Sequence, residues 1–348
     1  MTYAEARALF PVLERFAYLN AGTFGPLARP TLDAMQAQLA ADTTRGRHGK
    51  EYFERLLDLR EQLRARLAAL VGVEPAQVAL TSSTTESCNV VLAGLGLGPE
   101  DEVVTTAEEH FGLLGPLHTS GARVVVTPAE PDAILAAVTP RTRLLALSQV
   151  LWTRGAILPV RELRERSGLP VLVDGAQSVG AIPVDATGID FLTISGQKWL
   201  CGPDATGGLV VADPERLRVA RPSYFAQTSY EPHGAFVPRE GAARFDPGWL
   251  PMASLLGLLA ALDVAPDWRY ERAREQALRL RELLAPYVEL THGDATLVSF
   301  RAEDSLAVVT RLAEADVVVR ELPGTGLVRA SCGWWTSDED LERLVAAL

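Results

Sequence analysis

The chain has 348 residues, 48% of them hydrophobic, and a formal net charge of −11. That acidity argues against a general nucleic-acid or anionic-membrane binder, which needs a basic surface, and the length allows one large domain plus a smaller one with ample core. The opening MTYAEARALFPVLERF is charged rather than signal-like, and no apolar run approaches the ~18 residues of a membrane span, so a cytoplasmic protein with neither nucleic-acid nor membrane partner is expected.

Cys88, Cys201 and Cys332 are too scattered for a zinc site or a disulfide framework, so no metal is expected. The basic residues are more telling: of 33, only Lys50 and Lys198 are lysine. Arginine cannot lose its proton in a protein and so cannot form an imine with an aldehyde cofactor, whereas lysine can.

In chain order, Tyr18 to Thr23 followed by Gly25-Pro26 reads as an extended segment entering a loop. Residues 30–41 and 50–70 read as helices, the second with Phe53, Leu56, Leu57, Leu63, Leu67 and Leu70 on one face. From 78 onward short apolar strands alternate with helical stretches: 78–81, 102–106, 123–127, 143–148, 171–174, 191–195 and 208–212. Their valine-rich continuity suggests strands buried on both faces of a mostly parallel sheet, with ligands bound beyond the strands' carboxyl ends. A helical run over 253–286 then leads to VELT (288–291), TLVSF (296–300) and DVVVR (316–320), mixed with two further helices. The expected division is an N-terminal segment 1–30 packing with the small domain, a large α/β domain 31–252 and a smaller α+β domain 253–348.

Five clusters carry chemistry. Thr193-Ile194-Ser195-Gly196-Gln197-Lys198-Trp199 ends a buried strand and delivers the scarce lysine into a glycine-flanked turn; the bland alternative is an exposed loop lysine. Val173-Asp174-Gly175-Ala176-Gln177 puts a carboxylate at a strand end, where pyridoxal 5′-phosphate (PLP) needs one against its pyridine nitrogen; a helix-capping Asp is the alternative. Ser83, Thr84 and Thr85 open a helix as a phosphate would require, or as an ordinary cap would. His110 follows another strand, suited to stacking on a cofactor ring or to a structural role. Around Pro323-Gly324-Thr325-Gly326 a hairpin brings Arg320 near Arg329, either as a carboxylate clamp or as two surface arginines. A dinucleotide loop at Gly94-Leu95-Gly96-Leu97-Gly98 is set aside because the run follows a helix, not a strand.

Together these stretches resemble the class V branch of fold-type I PLP enzymes, and within it the cysteine/cystine C–S lyases, relatives of cysteine desulfurases and isopenicillin N epimerase. The likeness is densest in LSQVLWTRGAILPV, VLVDGAQSVGAIPVD and TISGQKWLCGPDATGGLVV. It implies PLP held as an imine on Lys198, Asp174 at the ring nitrogen, Gln177 at the phenolic oxygen and His110 stacked on the ring. It places Thr84, Thr85 and Ser195 on the phosphate, with Ser83 and Gln197 also at the cofactor. Asn20, Gly22, Thr23, Trp152, Arg320 and Arg329 fall on the substrate side, with Arg329 taking the carboxylate of a small amino acid. A homodimer is expected. Three departures stand out: Gln197 replaces a usual His before the lysine, Gln149 replaces another, and Arg244-Phe245-Asp246-Pro247-Gly248-Trp249 stands where the family has RFE-x-(G/A)-T.

A desulfurase needs a mobile nucleophilic cysteine shortly before Arg329, and 320–328 contains none. Elimination needs no thiol: the substrate displaces Lys198, the freed amine removes the Cα proton, and a thiolate or persulfide leaves Cβ to give pyruvate and ammonia. Epimerisation and transamination share the first steps, and a PLP-binding scaffold without turnover is the remaining class.

Overall fold

Strands that are apolar at consecutive positions must be covered on both faces. The computed structural model, which describes residues 1–348, does this with helices on either side of one large sheet. The elements run α1 (Tyr3–Arg7), β1 (Ala17–Tyr18), α2 (Arg29–Arg45), α3 (Gly49–Val71), β2 (Val78–Thr81), α4 (Thr84–Leu95), β3 (Glu102–Thr106), α5 (Phe111–His118), β4 (Arg123–Thr127), α6 (Pro131–Ala136), β5 (Thr142–Ser148), α7 (Val160–Ser167), β6 (Val171–Asp174), β7 (Phe191–Ser195) and β8 (Gly207–Val211). They continue with β9 (Gln227–Tyr230), β10 (Phe236–Pro238), α8 (Met252–Val264), α9 (Arg269–Leu284), β11 (Leu297–Arg301), α10 (Ser305–Glu314), β12 (Val317–Val318), β13 (Arg320–Leu322), β14 (Leu327–Ser331) and α11 (Asp338–Ala346).

The large sheet has seven strands in the order β2-β8-β7-β6-β5-β3-β4. All neighbours from β4 through β7 pair in parallel, and β8 alone runs against them, antiparallel to both β7 and β2. Alternation along β5 divides the core: Leu145 and Leu147 pack with Leu56, Leu59, Leu63 and Leu67 of α3, whereas Leu144 and Ala146 pack with Val91 and Leu92 of α4.

The smaller body is an antiparallel sheet, order β11-β14-β13, covered by α9, α10 and α11. The N-terminal segment belongs to it: Ala17 and Tyr18 pair in parallel with Val317 and Val318, and Asn20 bridges Ser331. Three details differ from the sequence reading. The helix expected over 253–286 is two helices, broken at Pro266, which has no N–H to donate. Leu255 and Leu258 of α8, a helix on the small-domain side of a division at 253, join the large body's core. Residues 288–291 form no regular strand but run beside β11 through an isolated bridge, Leu290 to Phe300, and hydrogen bonds from Thr291 N–H to Ser299 O and from Arg301 N–H to Glu289 O, each 2.9 Å, and DVVVR is shared between two sheets, Val317 and Val318 pairing with β1 and Arg320 with β14.

The loop after β10 is anchored by a buried ionic cluster. Asp246 Oδ2 accepts from Arg60 Nη2 and from Arg64 Nη2, each at 2.9 Å, and Oδ1 accepts the backbone N–H of Leu80 at 2.9 Å. All three side chains are buried, and Arg60 also lies over the Phe225 ring at 4.4 Å. Removing Asp246 leaves buried Arg60 with no carboxylate and Arg64 with only the half-exposed Glu61, 3.1 Å from its Nε. Asp246→Ala should therefore lower the unfolding free energy by about 3–5 kcal/mol in denaturant titration. A loss below about 1 kcal/mol, the surface-pair range, would show that the cluster is effectively solvated.

Candidate active site

The carboxyl ends of β3, β5, β6 and β7 and the first turns of α4 and α5 meet at one edge of the large sheet, and the β13–β14 hairpin and the N-terminal segment close over it. Lys198 lies in the turn after β7, which is fastened by Gly202 N–H to Gly196 O (2.8 Å) and by Cys201 N–H to Lys198 O (3.0 Å). The residue as a whole is half-buried, and the pKa of its amine is pulled down to about 8 by burial, opposed by Asp174 and assisted by Arg329 and Arg320. The other lysine, Lys50, is exposed and faces only Glu54.

Asp174, buried at the end of β6, accepts from Ala176 N–H (2.9 Å) and Thr193 Oγ1 (3.2 Å), both through Oδ1; Oδ2 has no protein partner. Gln177 is fixed at both ends of its amide: Oε1 accepts from Trp199 Nε1 at 2.9 Å and Nε2 donates to Gly22 O at 2.8 Å, which leaves one amide hydrogen free. His110 caps α5 by accepting Gly112 N–H on Nδ1 (3.0 Å) and meets the Trp152 ring edge-on, centroids 5.2 Å apart. Its pKa is lowered by burial and then by the charge of Lys198, which keeps the ring neutral.

Ser83 is the N-cap of α4, its Oγ accepting Glu86 N–H at 3.1 Å. The first N–H groups of that helix, at Thr84 and Thr85, have no intrahelical acceptor. A Cβ on Gly112 would come within 2.8 Å of Thr85 Oγ1, so the two helix starts converge. Buried Ser195 donates to Gln197 Oε1 at 2.9 Å, which leaves the Gln197 amide nitrogen unengaged.

On the opposite side, β13 and β14 put Arg320 directly across from Arg329. Arg329 is fully buried, and only its Nη1 is engaged, on Trp152 O at 2.8 Å. Its Nε and Nη2, and the indole nitrogen of Trp152, are buried without partners. Desolvation, and then Arg320, pull the Arg329 pKa down to about 9. Arg320 donates to Thr23 Oγ1 (2.9 Å), which in turn donates to Asn20 Oδ1 (2.8 Å). Asn20 and Thr23 thus stand behind Arg320, whereas Gly22 contributes by having no side chain: a Cβ there would lie 2.7 Å from Arg329 Nη2.

The edge therefore offers an amine of lowered basicity, a buried carboxylate with one free oxygen, free helix-start N–H groups and unpaired guanidinium donors. That donor set suits an aldehyde-bearing, phosphorylated pyridine cofactor together with a carboxylate substrate. Trp249, which ends the segment standing where the family has RFE-x-(G/A)-T, is 67% exposed and stacks on Tyr224 (6.3 Å, 12°). Trp334 and Trp335 are core, packed against Phe10. Gln149 keeps its backbone at the site, accepted by Asp174 O, but buries Oε1 without a partner. Sequence alone gives no role to Glu108, which ties the edge together through Thr153 (2.5 Å) and Arg154 (3.0 Å), or to Glu109, buried beside Ser148. Their one signal was a pair of acids directly before His110.

Comparison with known proteins agrees in extent. Isopenicillin N epimerase of Streptomyces clavuligerus is 29% identical, with 99% of this chain and 97% of that protein covered. Cysteine desulfurase CsdA of Escherichia coli K12 is 27% identical over 99% and 96%. A solved complex of the cystine C–S lyase C-DES with its product cysteine persulfide superposes with a TM-score of 0.90 at 28% identity, covering 97% of this chain and 98% of that one. Another C-DES structure, with a TM-score of 0.90, holds glycine covalently linked to its PLP cofactor. Residues 17–344 match the aminotransferase class-V family, and the chain belongs to it.

Proposed function

We propose that this PLP enzyme is a carbon–sulfur lyase that converts cystine, cysteine or another S-substituted cysteine to pyruvate, ammonia and a thiol or persulfide. The observation that carries the choice is the state of the thiols. A desulfurase must present a mobile nucleophilic cysteine to the substrate sulfur. Here β13 and β14 are joined by a tight turn without cysteine, and Cys88, Cys201 and Cys332 are all buried. Burial raises the pKa of each thiol, that of Cys332 to about 12, so thiolate is scarce at neutral pH.

PLP, held by Lys198, Asp174, Gln177, His110 and the phosphate donors Ser83, Thr84, Thr85, Ser195 and Gln197, supplies an electron sink that loosens the Cα proton of an amino acid. The unpaired Nε and Nη2 of Arg329 take the substrate carboxylate, with Arg320 beside it, and so fix which Cα bond faces Lys198. Lys198, of lowered basicity, removes that proton. The bond from Cβ to sulfur then breaks with its electron pair on sulfur, and water hydrolyses the remaining three-carbon unit. From cystine and one water the products are pyruvate, ammonia and cysteine persulfide. Epimerisation would need an acid on the opposite face, and neutral His110, its Nδ1 already accepting Gly112 N–H, is poorly equipped for that. The expected partner is a second copy of the chain, with Tyr224, Tyr230 and Trp249 among its exposed aromatic rings.

The deciding experiment incubates the PLP-loaded protein with L-cystine and identifies the three-carbon product by mass spectrometry. Pyruvate supports the lyase, alanine would mean desulfuration, and an unchanged but racemised amino acid would favour the epimerase. Lys198→Ala should cut turnover by at least about 10²–10⁴-fold, the contribution of a positioned base; turnover close to wild type would remove Lys198 from the chemistry. Arg329→Lys keeps the charge but loses the planar fork. It should reduce kcat/KM at least about tenfold, chiefly through KM, the cost of one charge-assisted bond. An unchanged KM would place the carboxylate elsewhere.

A further inference from the structure

Glu109 is the site's second buried carboxyl group, and the reaction proposed above does not use it. It is 4% exposed. Its oxygens accept Ser148 N–H at 3.0 and 3.1 Å, Ser148 Oγ at 2.5 Å and Thr106 Oγ1 at 2.9 Å. Thr106 ends β3, and Ser148 ends β5, where it stands directly across from Asp174 of β6. The carboxyl thus takes over the hydrogen bonds of β5 where β3 has left the sheet, one strand from Asp174 and one residue before His110.

No cation offsets it. The groups that act on Glu109 are Ser148, Thr106 and the like-charged Asp174; Cys88, buried on α4, feels both carboxylates. A glutamine would make comparable hydrogen bonds without burying an ionisable group next to another carboxylate, so local structure alone does not call for an acid here.

We propose that Glu109 is a positioning residue: it clamps the strand ends carrying Asp174 and His110 and, through its charge, sets how firmly Asp174 holds the proton on the cofactor's ring nitrogen. When ionised, it deepens the negative potential at Asp174 and favours the protonated ring; when neutral, it withdraws that support. Burial raises its pKa to about 7 against the pull of its hydrogen bonds, so it changes state in the neutral range. Asp174, Cys88, His110 and, beyond Asp174, Lys198 share this neighbourhood; burial displaces the His110 pKa downward and pulls that of the free Lys198 amine to about 8.

This inference rests on the PLP reading, and one experiment separates the two. Wild type, Glu109→Gln and Ser148→Ala are loaded with PLP, and the absorption of the bound cofactor is followed from about pH 5 to about pH 9. Wild type should show an inflection near pH 7. Glu109→Gln should lack it. Ser148→Ala removes a hydroxyl that favours the ionised form, so the inflection should move upward by roughly one unit, the worth of one bond to a charged group. An inflection that persists in Glu109→Gln, or an unmoved one in Ser148→Ala, overturns the proposal. If Glu109→Gln does not fold, Ser148→Ala decides alone. A wild type with no cofactor band overturns the PLP reading itself, and this inference with it.

Discussion

Gly22 is where three distant stretches of chain close on one another. Its carbonyl receives the Gln177 amide, its N–H donates to Ser331 Oγ at 3.1 Å, and its missing side chain leaves the space that Arg329 Nη2 occupies. One residue thereby couples the loop after β6, the end of β14 and the N-terminal segment. Gly25 adds a second tie, its N–H on Gln197 O at 2.8 Å, one residue before the lysine. The two bodies cannot separate at this edge without breaking those bonds, so the cofactor side and the carboxylate side are held at a fixed spacing. Catalysis needs that, because a base is useful only within hydrogen-bond reach of the bond it attacks.

Much of this was legible in the sequence, for physical reasons. Buried parallel strands announce themselves as valine-rich runs, and the polar residues just past their ends fall at one edge by topology alone, which is why Lys198, Asp174, His110 and Ser83 to Thr85 could be read together. The pairing of Arg320 with Arg329 followed from a turn-forming tetrad between two apolar runs, and the register is as that pattern requires.

What was not legible depended on distance in sequence. Nothing local distinguishes Asp246, which balances two arginines of α3, from any loop aspartate. Glu109 looks like half of a solvated acid pair until β5 is placed beside it. Trp334 and Trp335 could be pocket or core by sequence, because aromatic rings serve both equally; only their contact with Phe10 assigns them. The packing of α8 was hidden for a similar reason: the helix is apolar nearly all round, and only its contacts say which body it serves.

On the reading proposed above, the charges at the site make the substrate part of its own activation. As a free amine, Lys198 shares the space with Arg329 and Arg320, whose positive charge works with burial to hold its pKa at about 8. Arg329, itself depressed to about 9, has two unpaired donors and gains a counter-ion only when a carboxylate arrives. That carboxylate cancels much of the positive field acting on Lys198, and the amine becomes a stronger base while the substrate is bound. An amino acid whose carboxylate is masked would lose both the clamp and this increase in basicity. The penalty for such a molecule falls on the chemical step as well as on binding, so discrimination at the carboxylate exceeds what the lost hydrogen bonds alone would supply.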